Sequence, residues 1–175
     1  PKPQPKQVEE AVELRQGEDG SVLVPSSDLK RLGDEAFAAG QFERALEYYN
    51  SAAAFAKLDN LLVYAELYRM RSLSHAHLAR WPEALDDAER ALSLRPIWLP
   101  AAMAKAQALA ALERWSAAVQ AYKHAVSVPC GDSADLAQDA REGLARAEAV
   151  ILHQSSLATL SGHKGAVRCA AFLCP

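Results

Sequence analysis

The chain has 175 residues, half of them apolar and 23% charged, with a net charge of −3. That balance suits one packed domain, or one domain and a fragment, and excludes global disorder. No Lys/Arg run exceeds two residues and no stretch approaches 18 uncharged apolar residues, which argues against a nucleic-acid face and a membrane span.

Residues 1–25 read as a flexible linker. Alternate prolines at Pro1, Pro3 and Pro5 fix φ and remove amide donors. A short helix is expected over residues 8–16, broken by Gly17 and Gly20, and the opening on Pro1 predicts a piece of a longer protein. Ser26, Ser27 and Asp28 then offer acceptors to free first-turn amides, a helix start. Leu29, Leu32, Ala36 and Ala39 recur at helical spacing until Gly40; Phe42, Ala45, Leu46, Tyr49 and Ala53 stripe a second helix. After a break at residues 57–60 a longer helix is expected over 61–79. Pro82 opens the next helix at a position where its missing amide costs nothing, and Pro96 requires that helix to end near Arg95. A third pair is expected over 98–112 and 115–128. Pro129 and Gly131 stop it, and Ser133 starts a seventh helix with apolar residues at Leu136, Ala140, Leu144, Ala147 and Ile151. Its other side carries Glu142 and Arg146 at ion-pair spacing.

A rhythm runs through these elements. Trp81 and Ala84 are followed 34 residues later by Trp115 and Ala118, and Phe42 and Ala45 precede Trp81 and Ala84 by 39. Repeats of two helices at this period stack into solenoids, which work by presenting a surface. Small residues at Ala45, Ala84 and Ala118 let helices approach closely, so a leucine there would overpack. The aromatics are read as packing residues.

In detail the repeats resemble the tetratricopeptide (TPR) family. The first supplies Leu32, Gly33, Gly40, Phe42, Ala45, Tyr49 and Ala52. The second supplies Tyr68, Trp81, Ala84, Ala91 and Pro96, with Ser72 in the small slot and Ala88 replacing an aromatic. The third supplies Ala106, Leu109, Trp115, Ala118, Tyr122 and Ala125, with Cys130 in place of proline. The resemblance implies an all-α, TPR-type α-α superhelix: three hairpins over 26–130 (about 26–60, 61–97 and 98–130) and a capping helix over 131–154. It also implies a concave groove for a protein or peptide partner. By phase the lining is Lys30, Arg31, Asp34 and Phe37, then Arg69, Met70, Leu73 and His77, then Met103, Gln107 and Ala111. Lys30, Arg31 and Arg69 read equally as a solvated face.

Family members that grip chaperone C-terminal carboxylates use two Lys, two Asn and an Arg at five positions. Here those positions hold Lys30, Asp34, Met70, Pro100 and Ala104, so one of the five donors is kept. An aspartate repels a carboxylate, and Met and Ala cannot donate. The groove instead suits a partner with an acidic end and apolar anchors.

No catalytic set is evident. His75 and His77 diverge on one helix and cannot share a metal, and Asp86 and Asp87 read as an outer, solvated face. There is no phosphate-cradling glycine loop and no Gly-x-Ser-x-Gly. No enzyme, cofactor or metal is expected. Cys130, Cys169 and Cys174 form no disulfide framework, which fits a cytoplasmic or nuclear setting.

Residues 155–175 resemble the opening of a WD repeat: Leu160, Gly162 and His163, then Val167, Ala171, Phe172 and Pro175, with strand-like alternation. A short β-like tail is therefore expected, disordered, loosely docked or paired with another copy. Cys174 as the first ligand of a RING domain is the competing reading. The expected function is a protein–protein interaction scaffold or adaptor, part of a larger WD-repeat protein, with self-association possible. A chaperone-binding co-chaperone adaptor and the substrate-receptor region of a RING-type ubiquitin ligase are the alternatives.

Overall fold

The computed structural model describes residues 15–16, 22–23, 26–55, 61–129 and 134–171, with the side chains of 26–54, 61–129 and 134–156. Two short strands, β1 (Arg15–Gln16) and β2 (Val22–Leu23), precede seven helices. These are α1 (Ser26–Ala38), α2 (Phe42–Phe55), α3 (Leu61–His77), α4 (Trp81–Leu94), α5 (Leu99–Ala111), α6 (Trp115–Ser127) and α7 (Ala134–Ala171). The chain divides into two compact units, Pro1–Pro96 and Ile97–Pro175.

The six repeat helices lie where the periodicity places them, within two residues at each described end. The flanks differ. In place of an unstructured linker or a helix reaching Gln16, Arg15 pairs with Leu23 and Gln16 with Val22 in an antiparallel ribbon. At the other end α7 runs on to Ala171, so the expected β-like tail is helical in backbone. A lone strand has no neighbour to take its amides and carbonyls, whereas a helix satisfies them locally. Residues 172–175, the break at 57–60 and the proline tether lie outside the described residues.

Within the first unit the core gathers Leu29, Ala36, Ala45, Tyr49, Ala52 and Leu67. Ala45, Tyr49, Ala52, Ala84, Ala88 and Ala91 are fully buried, as the small-residue phase requires. Tyr49 lies flat against Gly33, leaving no room for a Cβ there. In the second repeat Ser72 takes the small slot, and its hydroxyl donates to the Ala84 carbonyl at 2.7 Å. That bond satisfies a polar group buried between α3 and α4.

The second unit packs through even smaller side chains. Ala101, Ala102, Ala104, Ala106 and Ala108 are buried on α5. The buried stripe of α7 is Ala137, Ala140, Gly143 and Ala147, while Leu136, Leu144 and Ile151 are only half-buried. The large residues are displaced because Tyr122 of α6 presses on Gly143, a contact that again excludes a Cβ. The expected Glu142–Arg146 ion pair does not form: Arg146 Nε donates to the Glu142 backbone carbonyl at 3.4 Å, and Glu142 accepts from Gln138. Lys123 and Glu148, 3.3 Å apart, link α6 to α7 instead.

All three described intra-repeat turns share one geometry. The amides of Gln41, Arg80 and Arg114 donate to the carbonyls five residues back, Ala36, His75 and Leu109. Each turn puts one residue in the left-handed region: Gly40 (φ 73°), Ala79 (φ 56°) and Glu113 (φ 56°). Glycine fits that conformation and side chains strain in it. Ala79→Gly and Glu113→Gly are therefore each expected to stabilise by about 0.5–1 kcal/mol, net of the added chain entropy. Urea midpoints of the two variants check this; a lowered midpoint in both would refute it.

Candidate functional site

Helices α1 and α3 carry most of the residues expected to line a groove, and each cation among them is already engaged. Lys30 pairs with Asp34 at 2.7 Å, Arg31 with Glu35 at 2.6 Å, and Arg69 with Glu66 at 2.6 Å. Each partner lies three or four residues away on the same helix, the spacing at which side chains meet. Asp34 is held further by the Tyr49 hydroxyl, which donates to Oδ1 at 2.8 Å. Burial, reinforced by this bond to a carboxylate, raises the Tyr49 pKa and keeps the phenol neutral. Asp34 thus works inward, as a fixed acceptor for a core tyrosine.

Beside this network stands an aromatic trio. The His77 ring stacks on Phe42 at 4.3 Å and 2°, and Phe37 meets both edge-on at 5.3 and 5.4 Å. Met70 packs against the core cluster, and the Arg69 guanidinium donates to its sulfur at 3.0 Å. Leu73 is half-buried. The first unit therefore offers an apolar and aromatic patch beside neutralised charges. Of the positions that grip a carboxylate in the resembled family, this unit holds Lys30, Asp34 and Met70, and the cation faces an aspartate.

The other two positions, Pro100 and Ala104, lie on α5 in the second unit, and Ala104 is buried. Met103 and Gln107, on the same helix, border a cleft of about 690 Å³ between α5, α6 and α7. Its walls include Met103, Trp115, Tyr122 and Val150, and Asp139 and Arg146 of α7 stand on its rim. Burial raises the Tyr122 pKa, while the nearby Arg146 guanidinium pulls it down. Ala111 is exposed and is not among the residues that line this cleft.

Sequence reasoning misplaced one charged residue. Asp87, expected on an outer face, is 2% exposed. It sits between α3 and α4, with Arg71 Nε at 3.2 Å and His75 Nε2 at 3.8 Å. The Arg71 approach lacks the alignment of a hydrogen bond, and His75 Nδ1 also has no partner. Burial pushes the Asp87 carboxyl up to about 6 despite the opposing pull of Arg71 and Arg90. Burial, with Arg71 beside it, holds His75 below its ordinary value. Burial shifts both groups toward their neutral forms. The signal available in the sequence was position: Asp87 falls three residues after Ala84 and four before Ala91, on the stripe that α4 turns inward.

Among the described residues no His/Cys/Asp/Glu cluster could hold a metal, and no helix is long and apolar enough to cross a membrane.

No family model matches the chain. It is 33% identical over 112 residues to a DnaJ homolog subfamily C member 7 homolog from Schizosaccharomyces pombe, covering 64% of this chain and 23% of that protein. It is 36% identical over 73 residues to the Hsp70-Hsp90 organizing protein of Triticum aestivum, covering 42% and 12%. The chain thus spans less than a quarter of either relative. Among solved structures it is similar to the Sgt2 TPR domain of Aspergillus fumigatus, with TM-score 0.65, 18% identity, and 83% and 87% of the two chains covered. It is also similar to the TPR2B domain of yeast Sti1, solved as a complex with an Hsp70 peptide, with TM-score 0.63, 21% identity, and coverage of 70% and 95%. The fold is that of a TPR domain.

Proposed function

We propose that the chain is a protein–protein interaction adaptor of the co-chaperone type, a TPR module that holds a peptide segment of a chaperone. The observation that carries this reading is likeness on two independent grounds. Relatives in sequence include an Hsp70-Hsp90 organizing protein, and the folds it matches include TPR domains solved with Hsp70 and Hsp90 peptides. This favours the chaperone adaptor over the WD-repeat scaffold and over the RING-linked receptor, neither of which has a counterpart among those relatives. A cytoplasmic setting and the absence of enzymatic activity belong to the same proposal.

The mode of binding differs from a carboxylate clamp. Lys30 is neutralised by Asp34, and Met70, Pro100 and Ala104 present no side-chain donor. A bound segment is held chiefly by its apolar side chains against residues such as Phe37 and Met70 of the first unit, with its terminal carboxylate left in water. Preformed repeats keep the ordering cost of such binding low.

Fluorescence anisotropy with the tail peptides SRMEEVD (Hsp90) and SGPTIEEVD (Hsp70) tests both parts. Binding is expected to survive amidation of the peptide C terminus, and Lys30→Ala to change affinity by less than about threefold, the size of a screened surface pair. A loss of about tenfold or more on amidation would overturn the clamp-free mode. Failure of both peptides, and of the intact chaperones, to bind would overturn the co-chaperone reading itself.

A further inference from the structure

Helix α7 outruns the unit it caps. Its last fully buried residue is Ala147, and from Leu152 to Ser156 every residue is exposed, yet the helical backbone continues to Ala171. Most helical stability in proteins comes from tertiary packing, and an isolated stretch of this length is marginal in water. Gly162 and Gly165, among the weakest helix formers, make this one weaker still. The extension therefore requires a surface to pack on, and the charges along α7 say which.

The two halves of α7 are complementary in charge. Residues 134–148 carry four acids and two arginines, whereas residues 149–171 carry Lys164 and Arg168 and no acid. Asp135 and Asp139 are exposed and have no ion pair among the described residues. Asp135 and Lys164 are 29 residues apart, as are Asp139 and Arg168. Eight helical turns take about 29 residues, so all four positions share one flank of the helix. The adjoining outward face holds Ala145, Ala149 and Leu152, all exposed, and Leu160 and Val167 continue its phase. We propose that α7 pairs antiparallel with α7 of a second copy of this chain, about a two-fold axis between Ile151 and Leu152. Such an axis brings the same flank of both helices together and reverses their direction. Asp139 lies twelve residues before Ile151 and Lys164 twelve after Leu152; Asp135 and Arg168 lie sixteen out on either side. One register therefore sets Lys164 opposite Asp139 and Arg168 opposite Asp135, and the symmetry repeats both pairs. The contact runs for about 50 Å, from Asp135 to Arg168 at 1.5 Å per residue, with Leu152 beside the axis.

Sedimentation velocity of the full chain should show a concentration-dependent dimer. The double variants Asp135→Lys/Asp139→Lys and Lys164→Glu/Arg168→Glu each turn four attractive pairs repulsive, and each should weaken the dimer by about tenfold or more. Mixing the two variants in equal amounts should restore a dimer of wild-type affinity, because the heterodimer again sets opposite charges at all four contacts. Leu152→Glu, at a position 69% exposed and so harmless to the monomer fold, sets like charges beside the axis and should also dissociate it. Circular dichroism of each variant serves as the control for folding. A wild type that stays monomeric throughout the micromolar range would overturn the proposal. So would a dimer indifferent to Leu152→Glu or to either charge reversal, or a mixture of folded variants no tighter than its components. A parallel pairing is excluded by the same data, since it sets like positions together and neither reversal would weaken it.

Discussion

Truncating Tyr49 to alanine is expected to destabilise the first unit by about 3–5 kcal/mol, the range for removing a buried aromatic. The ring is fully buried and lies on the bare backbone of Gly33, a contact that leaves no space for even one methyl group. Its loss opens a cavity that the rigid α1–α2 hairpin cannot close, and it removes the 2.8 Å bond that anchors Asp34. Tyr49→Phe separates the two contributions: it keeps the ring, deletes the bond, and should cost only about 1 kcal/mol. Gly33 supplies a further check through non-additivity. Gly33→Ala should be harmful in the wild type and nearly neutral once Tyr49 is alanine, because the clash has gone. Guanidinium unfolding of the four variants measures all of this. A Tyr49→Ala cost under about 1 kcal/mol would mean the ring is not the keystone its burial implies.

The second large effect is in pH. Asp87 titrates near 3.8 when unfolded and is pushed up to about 6 in the fold. The folded protein therefore binds the proton more tightly between those values, and stability falls as pH rises from about 4 to 6, then levels off. A shift of this size corresponds to about 3 kcal/mol at most, and the expected loss is about 2–3 kcal/mol. Asp87→Asn imitates the neutral acid and should remove the slope. His75, held neutral, has the opposite tendency, losing stability as pH falls below its ordinary value. Both proteins contain it, so its direct contribution drops out of the comparison. Urea melts of wild type and Asp87→Asn at pH 4.5 and 7.5 decide between burial and ion pairing. If wild type gains stability relative to the variant as pH rises, Arg71 outweighs burial at this site.

The same cluster shows where reading from sequence stops. Asp86 and Asp87 are adjacent and chemically identical, and adjacent acids on a helix normally face water. Helical position puts Asp87 on the Ala84–Ala91 stripe, but the packing of α4 on α3 decides that it meets Arg71 and His75 there. The groove residues show the converse. Phase gave Lys30, Arg31 and Arg69 as groove lining or equally as a solvated face, yet it could not say that each would be neutralised by an acid one turn away.

The number, order and limits of the six repeat helices were legible because a 34-residue period with small residues in fixed slots admits few packings, and because Pro82, Pro96 and Gly40 act through the local backbone alone. The same locality made the missing carboxylate-gripping donors visible before any coordinates. What required the tertiary structure were outcomes of competition between neighbours. Ala137, Ala140, Gly143 and Ala147 won the buried face of α7 from its leucines because the Tyr122 ring already occupied the space, and the tail took a helical backbone, which satisfies its own amides and carbonyls. The cleft with Asp139 and Arg146 at its rim is of this kind too. Periodicity names the face a residue occupies, but which faces meet, and what is left open between them, depends on side-chain volumes contributed by elements distant in the chain.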